Sequence, residues 1–158
     1  MSWTTHETPL GSLRLEASPD GLRRATFDAP VPAGDPEPTH PVLAATAGQV
    51  DEYLAGGRTR FDLPLAPAGS PFQRAVWDAV AAIPSGATAS YLDIARVIGR
   101  LDRVRAVGAA VGANPLLLVV PCHRVVGSDG ALVGYAGGLH RKRQLLDLEA
   151  GVRQGALL

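Results

Sequence analysis

Ser70-Pro71 divides this chain into two parts with different patterns. Serine is a favoured N-cap, and proline suits the first helical position, where the amide has no intrahelical partner anyway. The pair opens a run in which Phe72, Val76, Ala79, Val80 and Ile83 keep helical spacing up to Pro84. Upstream the pattern is one of small strands around turns. "GSLRLEAS" and "LRRATFDA" flank "PDG", a turn in which proline pre-sets φ and glycine admits φ > 0. "VPAGDPEPTHP" reads as a proline-rich loop. A helix follows with Pro41 in its first turn and Leu43, Ala47, Val50 and Leu54 on one face, stopped by Gly56-Gly57. "TRFDLPL" is expected to form one more short strand and "APAG" a linker.

Downstream, Ser90 with Asp93 makes a capping-box pattern for a short helix that buries Ile94, Ala95 and Ile98 and ends at Gly99. Another helix is expected from about Arg103 to Ala113, with Val104, Val107, Gly108 and Val111 facing inward. Asn114-Pro115 ends it, because a residue before proline is pushed out of the helical region. Two short helices joined by a brief glycine-containing turn suggest helix-turn-helix. At about 100° per residue, the outward face of the second helix carries Ala106, Ala109, Ala110 and Ala113, flanked by Arg103 and Arg105. Such a face permits close approach to a groove, with arginines meeting phosphates or entering a base stack. Alanine is equally a good helix former, and the spacing leaves both readings open.

A length of 158 residues allows one domain or two small lobes, and 46% hydrophobic residues suffice for a core. No apolar run reaches the ~18 residues needed to span a bilayer. "MSWTTHETPL" lacks the basic-then-apolar layout of a secretion signal, so a cytoplasmic protein without membrane attachment is expected. Net charge is zero, which argues against DNA binding by bulk charge alone. The charge is unevenly spread: Arg96, Arg100, Arg103 and Arg105 cluster, and "HRKR" at 140–143 reads as a second basic patch.

The single cysteine, Cys122, can form no internal disulfide. It lies in "VVPCHRVVG", after "LLLVV" at 116–120, which reads as a buried strand ended by Pro121. A lone cysteine is often an inert small hydrophobe, whereas an adjacent histidine or positive charge favours the reactive thiolate. His123 follows directly, yet neighbouring side chains on an extended chain point apart, so the pair needs a bend or a bridging water. In the last helix, "RKRQLLDLEAG", Leu145, Leu146 and Leu148 define the apolar face. Glu149 falls about 40° from Leu145, in the middle of it. Either the helix frays at Ala150-Gly151 and Glu149 reaches water, or Glu149 is buried and His123 is its natural partner. In the second case Cys122, His123 and Glu149 form a nucleophile–base–orienter relay. Between them, "VVGSDGALVGYAGGL" implies tight turns and close backbone approach to a ligand.

Together these segments resemble the alkylguanine-DNA alkyltransferase (methylated-DNA–protein-cysteine methyltransferase) family. "PCHRVV" is similar to its signature, and the resemblance extends in order through "SPFQRAVWDAVAAIPSGATASYLDIA", "RAVGAAVGANP", "GYAGGL" and "RKRQLLDLEAG". "TPLGSLRL" and "DGLRRATF" resemble the start of its N-terminal domain. The resemblance implies an α+β protein: an N-terminal ribonuclease-H-like sheet-plus-helix domain, residues 1–66, then a mostly helical domain, residues 67–158, with a winged-helix-like helix-turn-helix and the active cysteine. It implies a monomer that binds duplex DNA through the minor groove and flips out O6-alkylguanine. The alkyl group passes irreversibly to Cys122, with no cofactor. His123 would act as base through a water and Glu149 would orient it. Tyr91 would assist extrusion and protonate the leaving ring, and Asn114 would brace the active-site turn. Arg105 would fill the vacated place in the stack, with Arg103, Ala106, Ala109 and Gly112 on the DNA face. Val125 would offer its carbonyl to the guanine amine, and Tyr135 and Ala136 would lie against the base. Relatives with a zinc site use cysteines absent here, so no metal is expected. Three rivals are a damage sensor of the same fold without an acceptor cysteine, a helix-turn-helix regulator with an incidental thiol, and a cysteine hydrolase.

Overall fold

The Pro19-Asp20 turn closes an antiparallel hairpin between β2 (Gly11–Ser18) and β3 (Gly21–Phe27). On its other edge β2 pairs antiparallel with β1 (Ser2–Thr8), giving the order β1-β2-β3. This is a computed structural model, and it describes residues 1–153. Period-two alternation puts Leu13, Leu15 and Ala17 on one face, all buried. The intervening Arg14 is buried too. Its guanidinium lies 5.0 Å from the Trp3 ring centroid and donates to the carbonyls of Ala29 and Pro30, which holds the start of the proline-rich loop.

Helix α1 (Pro41–Leu54) packs on this sheet. Its buried stripe is Leu43, Thr46, Val50 and Tyr53, and the expected Ala47 and Leu54 are only half-buried. The Thr46 hydroxyl donates to the Val42 carbonyl, which makes its burial tolerable. Residues 59–65 form no strand. A single bridge joins Leu22 and Leu65, because Pro64 has no amide to donate. This segment runs tightly against Gly21, whose φ of +144° and missing Cβ permit the approach. An added Cβ would lie 2.5 Å from the Pro64 oxygen. Gly21→Ala should therefore destabilise by about 1–3 kcal/mol, checked as a lowered midpoint in chemical denaturation.

The chain divides into two compact units, and Pro115–Val119 belongs to the first with Met1–Ala68, although the sequence division put it in the second part. The "LLLVV" segment is not a strand. Ala25 bridges Leu116, and the chain then turns through Leu118 at φ +71°, with Leu116, Leu117 and Leu118 buried. An all-apolar run looks alike whether it is a buried strand or a buried turn.

The second unit begins with α2 (Pro71–Ala81), opened by a complete capping box between Ser70 and Gln73. Ser90 and Asp93 cap α3 (Tyr91–Val97) in the same reciprocal way. A 3-10 turn at Leu101–Arg103 leads into α4 (Val104–Gly112). Ala110 was expected on the outer face of α4, but it is buried, and its carbonyl accepts from the Trp77 indole at 2.8 Å. Two short strands, β4 (Ala89–Ser90) and β5 (Val125–Val126), pair in parallel and tie the segment after Cys122–Arg124 to the start of α3. The last helix, α5 (Leu139–Arg153), packs on the turn at Cys122–Arg124. Among the described residues, no helix is long and apolar enough to cross a membrane.

Candidate active site

Cys122 opens a 3-10 turn, Cys122–Arg124, and does not sit at a strand end. The turn supplies the bend that an extended backbone lacks between adjacent thiol and imidazole. It is fixed by the Val120 carbonyl, which accepts from the Cys122 amide at 2.8 Å and the Asn114 side chain at 2.9 Å. Asn114 is itself buried just past the end of α4, so it couples that helix to the reactive turn.

Glu149 is buried, and the fraying alternative fails. Its Oε2 lies 2.8 Å from His123 Nε2 and accepts from Arg124 Nη2 at 2.7 Å, while Oε1 accepts from Arg124 Nε at 2.9 Å. The Arg124 fork thus meets the carboxylate with two parallel bonds, and Nη1 donates to the Ile83 carbonyl two residues past α2. Facing an ionised carboxylate, His123 carries its proton on Nε2, which leaves Nδ1 as the basic nitrogen. Burial lowers the His123 pKa, and the Glu149 hydrogen bond and charge pull it partly back, so the ring is neutral near pH 7. Burial pushes the Cys122 thiol up to about 11, against smaller lowering effects from Asn114 and the Lys142 charge.

The thiol opens onto a cavity of about 220 Å³. Gly108, Val111 and Gly112 of α4 form one wall, Tyr91 another, and Gly134, Tyr135 and Ala136 a third. Tyr91 Oη donates to the Val133 carbonyl at 2.9 Å, and burial first, then Cys122, raises its pKa. The Tyr135 ring meets the His123 ring edge-on at 6.3 Å, and burial raises its hydroxyl well above the ordinary value. Gly137 is required here, since an added Cβ would lie 2.5 Å from the Tyr135 ring.

Cys122, Tyr91, Gly112, Tyr135 and Ala136 therefore line one cavity, with His123 and Glu149 buried outside its lining and Asn114 bracing the turn. Arg105, Ala109 and Gly112 are exposed on α4 and Ala106 is half-buried. Arg103 is exposed but lies over the Phe72 ring at 4.8 Å. The Arg96 and Arg100 guanidiniums pair with Asp93 and Asp102, whereas Arg105 makes no ion pair among the described residues. The Val125 carbonyl already accepts from Lys142 Nζ at 2.6 Å. Sequence reading missed two charged groups, Arg124 and Lys142, and grouped Lys142 with its neighbours in the "HRKR" basic patch although it is fully buried. The available signals were an arginine inside an oily run and the position of Lys142, which shares the inner face of α5 with Leu145 and Glu149.

Residues 71–151 match the model of the 6-O-methylguanine DNA methyltransferase DNA-binding domain, and residues 1–67 that of its ribonuclease-like domain. The expected α+β pairing of a ribonuclease-like lobe with a helical DNA-binding domain therefore holds. The methylated-DNA–protein-cysteine methyltransferase of Methanosarcina barkeri is 42% identical over 148 residues, spanning 90% of this chain and 93% of that protein. The inducible enzyme of the same name from Bacillus subtilis is 54% identical over 107 residues, 68% of this chain and 60% of that protein. The crystal structure of Mycobacterium tuberculosis OGT in complex with DNA superposes with a TM-score of 0.87 at 38% identity, covering 96% of this chain and 94% of that one. A cavity closed by one buried thiol, a carboxylate-oriented histidine behind it and matches along both parts of the sequence lead to one assignment: the chain belongs to the methylated-DNA–protein-cysteine methyltransferase family.

Proposed function

We propose that this chain repairs DNA by direct reversal, moving the alkyl group of O6-alkylguanine in duplex DNA onto Cys122 in a single irreversible turnover. The observation that carries the reading is the Cys122 thiol opening onto a glycine-walled cavity, with the His123–Glu149 pair next in sequence and packing. The base leaves the stack, because its O6 substituent cannot reach a buried sulfur while paired. Residues 67–158 carry both DNA binding and transfer, and the protein acts as a monomer in the cytoplasm. It meets the minor groove with the small-residue face of α4, where Ala106, Ala109 and Gly112 admit close approach and Arg103 reaches phosphate. Arg105 enters the stack in place of the flipped guanine.

In the transfer step the thiol proton passes through a water to His123 Nδ1, and Glu149 steadies the resulting imidazolium. The sulfur attacks the alkyl carbon, the S–C bond forms and the C–O6 bond breaks. Tyr91 gives a proton to the departing guanine ring. Val125 and Tyr135 hold the base, and Ala136 supplies its backbone amide to O6.

Mixing the protein with duplex carrying one O6-methylguanine should add one methyl group to the intact mass, mapped to the Cys122 peptide. Cys122→Ser should stay unmodified. An unmodified parent protein, or multiple turnovers, overturns the reading in favour of a binding protein or a hydrolase respectively.

A further inference from the structure

Fourteen of the fifteen basic residues are arginine, and the single lysine, Lys142, is fully buried. A buried ammonium is costly unless its donors are satisfied. Lys142 Nζ donates to the Val125 carbonyl at 2.6 Å and the Gly134 carbonyl at 2.9 Å. The buried carboxylate on the same helix face, Glu149, is already taken by His123 and Arg124.

The two carbonyls stand at opposite ends of the pocket segment. Val125 directly follows the Cys122–Arg124 turn, whereas Gly134 itself lines the cavity beside Tyr135 and Ala136. Side chains hold much of the stretch between Leu132 and Gly138. Tyr91 holds the Val133 carbonyl, Lys142 that of Gly134 and Arg141 that of Gly137. A compact ammonium with three donors suits two carbonyls converging on one point, which a planar guanidinium fork does not. A chain that otherwise uses arginine almost throughout has lysine at this position.

The charge bears on the thiol as well as on the loop. Lys142 lowers the Cys122 pKa against burial, while burial lowers that of Lys142 itself and the Cys122 charge offsets part of the drop. The other titratable groups around the thiol are Tyr91 from α3, Tyr135 from the loop, and the His123–Glu149–Arg124 cluster.

We propose that Lys142 is a positioning residue: it clamps the Val125 and Gly134 carbonyls, setting the Gly134–Ala136 wall of the cavity, and holds a fixed positive charge near Cys122. The relevance to repair rests on the alkyl-transfer reading, but clamp and charge are readable without DNA. Lys142→Met should increase amide exchange across residues 132–138 and slow Cys122 modification by a small neutral alkylating agent about ten-fold at fixed pH, moving its pH profile upward. Lys142→Arg, which keeps the charge, should recover the pH profile more than the loop protection. Lys142→Gln, which keeps donors, should do the reverse. The wild-type protein offers a readout that needs no variant, since selective labelling gives one lysine side-chain signal. That signal should be protected from exchange and should shift when Cys122 is methylated. A Lys142→Met protein with unchanged loop protection and pH profile overturns the proposal, as does a native lysine signal insensitive to Cys122 methylation.

Discussion

Glu149→Gln should lower stability by about 3–5 kcal/mol, the cost of leaving a buried charge without its partner. The substitution changes shape very little, so the loss is electrostatic. Glu149 accepts from both Arg124 nitrogens and faces His123, and all three residues are buried. A neutral amide leaves the Arg124 charge uncompensated and turns an N–H toward another donor. Alkyl transfer should fall by at least about 10²-fold, because on the proposed mechanism His123 is the general base and loses the carboxylate that orients it. The two effects can be separated. Adding Arg124→Met in the Glu149→Gln background removes the stranded charge, so part of the stability should return while the rate stays low. Urea midpoints together with single-turnover rates on O6-methylguanine duplex give both quantities. An unchanged midpoint in Glu149→Gln contradicts the buried cluster.

What the sequence could and could not disclose follows from how each feature is encoded. Helix ends were legible because capping is local: Ser70-Pro71, Ser90 with Asp93 and Asn114-Pro115 all act within a few residues. The hairpin at Pro19-Asp20 was legible for the same reason. β1 was missed because "SWTTHET" offers little apolar alternation, and it is held by pairing with β2, a partner outside its own sequence. The strand expected at 116–120 failed because an unbroken apolar run reports burial and not backbone direction. The relay was half legible. Glu149 stands out as a carboxylate on an apolar helical face, whereas Lys142 on that face is masked by the basic residues around it in "HRKR". Arg124 was hidden differently, since its fork bridges α2 and α5, and no local pattern encodes a contact 25 or 41 residues away.

Without DNA, reaction of Cys122 with a small neutral alkylating agent should accelerate about ten-fold per pH unit, levelling only near pH 11, where burial has pushed the thiol. At pH 7 only on the order of 10⁻⁴ of the protein then carries thiolate, against a few per cent for an exposed cysteine. On the proposed mechanism, repair near neutral pH consequently depends on removing the proton as the substrate reacts, through His123. That step needs a neutral imidazole, and burial lowers the His123 pKa below its ordinary value. Transfer from an O6-methylguanine duplex should therefore be nearly flat above pH about 6.5 and fall only once the pH drops through the lowered value. Stability follows the same groups with opposite signs. The contribution tied to the raised Cys122 pKa is intact below the unfolded value of about 8.5 and is lost as pH climbs toward 11. That tied to the depressed His123 pKa is intact above about 6.5 and is lost as pH falls through the folded value. A steep profile with the small reagent beside a flat one with damaged DNA is the signature of a nucleophile prepared by its substrate. Alkylation by the small reagent at one rate from pH 7 to 9 would mean a thiolate already formed, and with it no need for the relay.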